Sequence, residues 1–141
     1  AMTDSPVGVA AWIIEKVAAW SDLPLDDHGC PDLLAKYTRD QLLTNIMIYL
    51  AQDSFATSIW LYRAFANGQA ASPFRHADRT ETPTALAAFR DSAYAPAPRS
   101  MAERTYNVTQ WTDMPRGGHF AALEAPDLLL ADLRAFARGL S

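Results

Sequence analysis

His119 and Asp91 are the two residues of this 141-residue chain whose types and order fit proton-transfer chemistry. His119 follows two glycines in the stretch MPRGGHFAALEAPDLL, residues 114–129, and Asp91 follows a short apolar run. A histidine can take up and return a proton near neutral pH. An acid on its other ring nitrogen fixes the tautomer and stabilises the imidazolium. The pair predicts a general base with an orienting acid; the alternatives are a structural histidine and an aspartate that caps a turn.

Two predicted strands position these residues. The apolar run 84–89 indicates a buried strand of a parallel sheet, and the β-branched and aromatic stretch 107–112 indicates a second strand. A helix is predicted at 99–106 and another from Pro126 to a stop at Gly139. This strand–helix–strand–helix order is typical of a parallel sheet covered by helices. The glycines before His119 let the backbone bend tightly and bring the ring to the edge of the sheet.

The first half of the chain predicts helices only. A proline in a first turn precedes apolar residues at helical spacing up to Trp20. A capping box at 38–41 begins an apolar helix, 42–50, which should be buried on most sides, and another helix covers 55–65. Residues 21–37 and 68–83 are predicted as loops. Because two strands alone do not make a covered sheet, the chain should need strands from elsewhere.

Composition excludes several classes of function. Half of the residues are hydrophobic and a fifth are charged, which predicts a packed core. A net charge of -4 and scattered basic residues argue against nucleic acid. The apolar stretches fall short of the ~20 residues of a membrane span. The single cysteine, Cys30, fits a reducing, cytoplasmic compartment. His28 and His76 are predicted to be solvated, and neither metal-ligand spacing nor a phosphate-binding loop is present, so no cofactor is expected.

Several stretches match one enzyme family in order along the chain. They are DSPVGVAAWI at 4–13, LLTNIMIY at 42–49, AERTYNV at 102–108, RGGHFAALE at 116–124, PDLL at 126–129 and DLRAF at 132–136. Together they resemble the C-terminal part of the microsomal-type epoxide hydrolases, which include the juvenile-hormone epoxide hydrolases and many bacterial relatives. The resemblance covers nearly the whole chain.

The resemblance implies an α/β fold, namely the C-terminal part of an α/β-hydrolase fold. Residues 1–81 would form a helical lid (cap) segment, and residues 82–141 a C-terminal core segment with the acid and histidine loops. In this family a nucleophilic aspartate opens the epoxide to an alkyl-enzyme ester while lid tyrosines bind the epoxide oxygen. A water activated by histidine then gives a vicinal diol. His119 would be that base, Asp91 the acid and Tyr62 the second lid tyrosine, although a tyrosine on a helix is more often a core or surface residue.

Two departures from the family pattern change the expectation. The acid motif, usually Phe-Pro-x-Asp/Glu, is FRDS at 89–92, without the proline and with the carboxylate one position early. The nucleophile motif GGDWG and the oxyanion motif HGxP do not occur in the sequence. We therefore expect a complementary N-terminal segment to supply the nucleophile, and no activity on a small apolar epoxide from this segment alone. The alternatives are another α/β-hydrolase, such as a haloalkane dehalogenase or an esterase, and a non-catalytic fragment or binding module.

Overall fold

A computed structural model describes residues 4–68, 79–94 and 97–140, which form two compact units. The helical unit contains the described residues 4–19 and 23–68. The sheet unit contains residues 20–22, 79–94 and 97–140. Residues 69–78 of the predicted loop lie outside the described residues, and with them His76, which was predicted to be solvated. The predicted division at residue 81 into a lid and a core segment stays a prediction.

The helical unit contains the helices α1 (Pro6–Trp20, without its last residue), α2 (Arg39–Ala51), α3 (Phe55–Ser58) and α4 (Trp60–Ala66) and a 3-10 turn (Leu33–Ala35). Its core is made by Val9, Ile46 and Phe55, with partly buried residues of α1 and α2 around them. The predicted capping box is confirmed: Gln41 N donates to Thr38 Oγ1 at 3.1 Å, and Thr38 N donates to Gln41 Oε1 at 2.8 Å.

Two expectations for this unit are wrong. α2 buries only Ile46, whereas Leu43, Met47 and Ile48 are at least half exposed. The described part of the helical unit packs against only one side of α2, although α2 carries apolar residues on several sides. The helix predicted over 55–65 is divided at Ile59 into α3 and α4. No helix in the described ranges is long and apolar enough to cross a membrane.

The sheet unit has the predicted strand–helix–strand–helix order. It contains β1 (Thr80–Ala88), α5 (Arg99–Thr105), β2 (Tyr106–Asp113), a short helix α6 (Ala121–Glu124) and α7 (Pro126–Gly139). The strands are parallel, with Leu86 opposite Trp111 and Ala88 opposite Asp113. β1 begins four residues before the predicted start at 84. Residues 80–83 are all exposed, so their burial pattern does not mark a strand, and the register shifts between Thr80 and Pro83.

A buried carboxylate joins α7 to β2. Asp132 is 9% exposed, and its Oδ1 accepts hydrogen bonds from Gln110 Nε2 at 2.9 Å and Thr112 Oγ1 at 2.5 Å. Gln110 Nε2 also donates to the Asp132 carbonyl at 3.1 Å. Because both donors lie on β2, these bonds fix α7 against that strand. β2 leads directly into residues 114–120, the loop that carries His119 (the histidine loop).

Candidate active site

The loops after β1 and β2 bring His119 and Asp91 together. His119 Nδ1 lies 2.8 Å from Asp91 Oδ2. Parallel strands end at the same edge of a sheet, so the two loops start side by side. Two backbone bonds hold them there: Met114 N donates to the Ala88 carbonyl at 2.9 Å, and Arg90 N donates to the Gly117 carbonyl at 3.0 Å. The acid and the histidine predicted from the sequence thus form a hydrogen-bonded pair.

The two oxygens of Asp91 have different partners. Oδ2 faces His119, whereas Oδ1 accepts hydrogen bonds from the backbone N–H of Ala93 at 2.8 Å and of Tyr94 at 3.2 Å. The second pattern is a turn in which an aspartate binds the backbone ahead of it. Both interpretations of Asp91 left open by the sequence therefore hold geometrically, because one carboxylate caps the turn and contacts the histidine.

These partners set the ionisation of Asp91. Burial raises the pKa of the carboxyl, but the hydrogen bond with His119, the two backbone N–H donors and the charge of His119 outweigh it, so the pKa lies below its ordinary value of 3.8. The carboxylate is thus ionised at neutral pH and can only accept hydrogen bonds. His119 Nδ1 must then carry a hydrogen. In the neutral ring this leaves Nε2 as the free base.

A pH titration tests this ionisation. Because the folded pKa is depressed, the contribution of Asp91 to stability is complete above about pH 3.8 and is lost as the pH falls through the lower, folded pKa. His119→Ala removes the strongest interaction that lowers this pKa, so the pKa of Asp91 is expected to rise. The carboxyl carbon chemical shift of Asp91, followed against pH by NMR, measures it in both proteins. An Asp91 pKa that is the same in wild type and in His119→Ala would contradict the hydrogen bond between Asp91 and His119.

Aromatic rings surround the imidazole of His119. The ring centroid of Trp20 lies 5.0 Å away, that of Phe120 5.0 Å away and nearly perpendicular, and that of Tyr94 6.0 Å away. The side chains of His119 and Asp91 remain 30% and 21% exposed. Trp20, the last residue of α1, contacts the imidazole. The rings pack beside the imidazole and leave it accessible on part of its surface.

Buried backbone contacts fix the loop that carries His119. Gly117 has φ +98°, which favours glycine, and a Cβ there would lie 3.0 Å from a ring carbon of Phe89. Gly117 N donates to Asp22 Oδ2 at 2.8 Å, and His119 N donates to the Trp20 carbonyl at 3.0 Å. Residues 20–22 thus pack along one side of the loop that carries His119, and we call them the wall segment.

Glu124 and Asp22 were not predicted to act at this site. Glu124 is 4% exposed; its Oε2 accepts from Asp22 N at 2.7 Å and Gly118 N at 2.9 Å, and its Oε1 accepts from Phe120 N at 2.9 Å. One sequence signal was available, since Glu124 is an acid in the small apolar run AALEAP. An acid in such a run needs buried donors. No local feature of the sequence predicts that Asp22 supplies one of these donors.

Tyr62 belongs to the helical unit, on α4. It is 42% exposed, and its ring meets that of Trp12 edge to face with centroids 6.0 Å apart. Its predicted role in binding the epoxide oxygen stays a prediction. Within the described ranges, His, Cys, Asp and Glu residues do not form a group of three that could hold a metal ion.

Comparison with known proteins gives a consistent result, although no family profile matches the chain. The chain is 38% identical over 134 residues to juvenile hormone epoxide hydrolase 1 of Ctenocephalides felis, and 37% identical over 138 residues to epoxide hydrolase 1 of Sus scrofa. These alignments cover 94% and 96% of the chain but only 29% and 30% of the relatives. The chain therefore spans about three tenths of the length of the curated relatives it matches.

Solved structures agree with these relatives. An enantioselective mutant of the epoxide hydrolase from Aspergillus niger matches with a TM-score of 0.73 and 30% identity, over 98% of this chain and 32% of that one. The juvenile hormone epoxide hydrolase from the silkworm Bombyx mori matches with a TM-score of 0.69 and 27% identity, over 97% and 36%. These similarities confirm the predicted resemblance and fold class. The chain is homologous to the epoxide hydrolases and shares the C-terminal part of their α/β-hydrolase fold.

Proposed function

We propose that this chain is the part of an epoxide hydrolase that supplies the histidine base and its orienting acid. His119 would activate the water that hydrolyses an alkyl-enzyme ester, with Asp91 as the acid of the triad. The observation that carries the proposal is the 2.8 Å hydrogen bond between His119 Nδ1 and Asp91 Oδ2 in a chain homologous to epoxide hydrolases. That bond leaves Nε2 unprotonated in the neutral ring, as a general base requires.

The proposed reaction has two steps. A nucleophilic aspartate carboxylate attacks one epoxide carbon, the C–O bond of the ring breaks, and the oxygen leaves as an alkoxide that takes up a proton. In the second step, Nε2 of His119 removes a proton from water as the water oxygen attacks the ester carbonyl. The imidazolium, stabilised by Asp91, returns the proton as the alkyl oxygen departs. The products are a vicinal diol and the carboxylic acid of the nucleophile, whose loss of a proton restores the carboxylate and balances the proton that the alkoxide took up in the first step.

The nucleophile belongs to a complementary N-terminal segment in this proposal. Two observations support it: the sequence lacks the GGDWG and HGxP motifs, and the chain spans about three tenths of its relatives. Residues 1–81 would serve as the lid segment and residues 82–141 as the core segment. The substrate would be a small apolar epoxide, and this segment alone would be inactive.

Oxygen labelling in the complete enzyme tests the proposal. A styrene-like epoxide is converted in H₂¹⁸O, first with enzyme in excess and then over many turnovers. An ester mechanism gives unlabelled diol in the single turnover, because the new hydroxyl oxygen comes from the nucleophile, and labelled diol later. Labelled diol in the single turnover would contradict the ester. Turnover of a haloalkane or carboxylic ester but not the epoxide would indicate another α/β-hydrolase, and no turnover of any would indicate a non-catalytic protein.

Replacing Tyr62 by phenylalanine tests the lid assignment. The loss of one hydroxyl that would stabilise the developing alkoxide is expected to slow ester formation by about 10²-fold. Ester hydrolysis should be unchanged, since that step does not use the epoxide oxygen. Rapid-quench kinetics separates the two rates. Tyr49→Phe, on α2 of the same unit, is the control and should leave both rates unchanged. A normal rate of ester formation in Tyr62→Phe would contradict the role.

A further inference from the structure

We infer that Glu124 is a positioning residue that fixes the main chain around His119, an inference that rests on the proposed function. Glu124 lies in α6 and is 4% exposed. A buried carboxylate is costly unless it is fully hydrogen-bonded. This one has three backbone N–H partners, from Asp22, Gly118 and Phe120, at 2.7 to 2.9 Å. Its carboxylate therefore acts on the backbone that carries the imidazole.

The arrangement of these donors explains the role. Gly118 and Phe120 flank His119, and both of their N–H groups point to the one carboxylate, through Oε2 and Oε1 respectively. The N–H of His119 between them donates to the Trp20 carbonyl at 3.0 Å. Three successive amides are therefore bonded, which fixes the backbone dihedrals at His119 and hence the direction of its Cα–Cβ bond.

The third donor, Asp22 N, links the loop that carries His119 to residues 20–22. Asp22 N donates to the same Oε2 that accepts from Gly118, and Asp22 Oδ2 accepts from Gly117 N. Glu124 thus holds the wall segment 20–22 against the histidine loop. That segment also supplies Trp20, whose ring lies 5.0 Å from the imidazole. One carboxylate therefore sets both the backbone of the base and the position of its aromatic neighbour.

Only an acceptor with two oxygens fits all three donors. In Glu124→Gln, one side-chain oxygen becomes an NH₂ group, which can only donate and would face at least one backbone N–H. A buried N–H without a partner is unfavourable, so the loop should shift to relieve the contact. A displacement of about 1 Å at a catalytic group can cost about 10²-fold in rate.

The effect should be confined to the step that uses His119. We expect Glu124→Gln to slow ester hydrolysis by about 10²-fold and to leave ester formation unchanged, so that the ester accumulates. A purely structural role would instead reduce the amount of folded enzyme and lower both rates in proportion. The ratio of the two rates therefore separates positioning from stability.

The experiment uses the complete enzyme, a styrene-like epoxide and rapid-quench kinetics on wild type, Glu124→Gln, Glu124→Asp and Glu103→Gln. Glu103 is the matched control, because its carboxylate pairs on the surface with Arg99 at 2.7 Å. The ratio of the rate of ester hydrolysis to the rate of ester formation should fall in Glu124→Gln and stay at the wild-type value in Glu103→Gln. Glu124→Asp keeps both acceptor oxygens on a shorter side chain and should be intermediate; if Glu124→Gln does not fold, this variant decides.

A second readout does not depend on turnover. The Nδ1–H proton of His119, bonded to Asp91, should give a downfield NMR signal in wild type and Glu103→Gln that shifts or broadens in the Glu124 variants. A wild-type rate ratio with an unchanged signal in those variants would overturn the inference and leave the proposed function standing. A wild-type enzyme that forms no ester would overturn the proposed function, and the NMR signal would then still decide the positioning role.

Discussion

Replacing His119 by alanine is expected to slow ester hydrolysis by about 10² to 10⁴-fold, the usual contribution of a positioned general base. Ester formation should continue at the normal rate, because the epoxide is opened by the nucleophile before His119 is needed. The complete enzyme would then show one rapid turnover followed by very slow release of diol. Single-turnover kinetics with a styrene-like epoxide measures the two rates separately.

His28→Ala is the matched control for this variant. His28 lies in an exposed loop, where its backbone N–H donates to Asp26 Oδ1 at 2.8 Å, and its loss should change neither rate. If His119→Ala hydrolyses the ester as fast as wild type, His119 is a structural histidine. A parallel loss of both rates would point to the same conclusion, because it would reflect misfolding and not the loss of a base.

The largest loss of stability is expected for Gly118→Ala. A Cβ at this position would lie 2.8 Å from the backbone N of Asp22 and 2.8 Å from the carbonyl oxygen of Trp20. Both atoms belong to the main chain and cannot rotate away as a side chain would. Overpacking of this kind costs about 1–3 kcal/mol in the free energy of unfolding. The wall formed by residues 20–22 must also move away from the histidine loop, so ester hydrolysis should slow as well.

Gly139→Ala is the control for Gly118→Ala. Gly139 ends α7, and a Cβ there would meet no neighbouring atom of the described chain within 4 Å. This change should therefore be neutral or stabilise by up to about 1 kcal/mol. Urea denaturation of the complete enzyme, followed by fluorescence and circular dichroism, compares the two variants. Equal free energies of unfolding for Gly118→Ala and wild type would show that the wall and the loop are not in close contact.

The sequence predicted the sheet unit well because its signals are local. β-branched and aromatic residues marked β2, a proline and an apolar stripe marked α7, and the order of the strands placed the two loops together. The pairing of His119 with Asp91 follows from that order, since parallel strands end at one edge. The shift of the acid by one position did not prevent the contact, because the carboxylate still reaches Nδ1 at 2.8 Å.

Contacts between distant parts of the chain were not predictable in the same way. Glu124 binds the backbone of Asp22, 102 residues earlier, and no periodicity in either stretch records that contact. The start of β1 was missed because its first residues are exposed and show no burial pattern that marks a strand. The exposure of α2 was missed because an apolar pattern shows which faces can be buried, but not whether a neighbouring element covers them.

The proposed role of His119 in hydrolysing an alkyl-enzyme ester can be tested by the intact mass of the His119→Ala enzyme after mixing with excess styrene-like epoxide. The proposed function predicts that the polypeptide carrying the nucleophile gains the mass of one epoxide molecule and that wild type, treated identically, shows little of this adduct. An unmodified His119→Ala enzyme that still produces diol at the wild-type rate would contradict it.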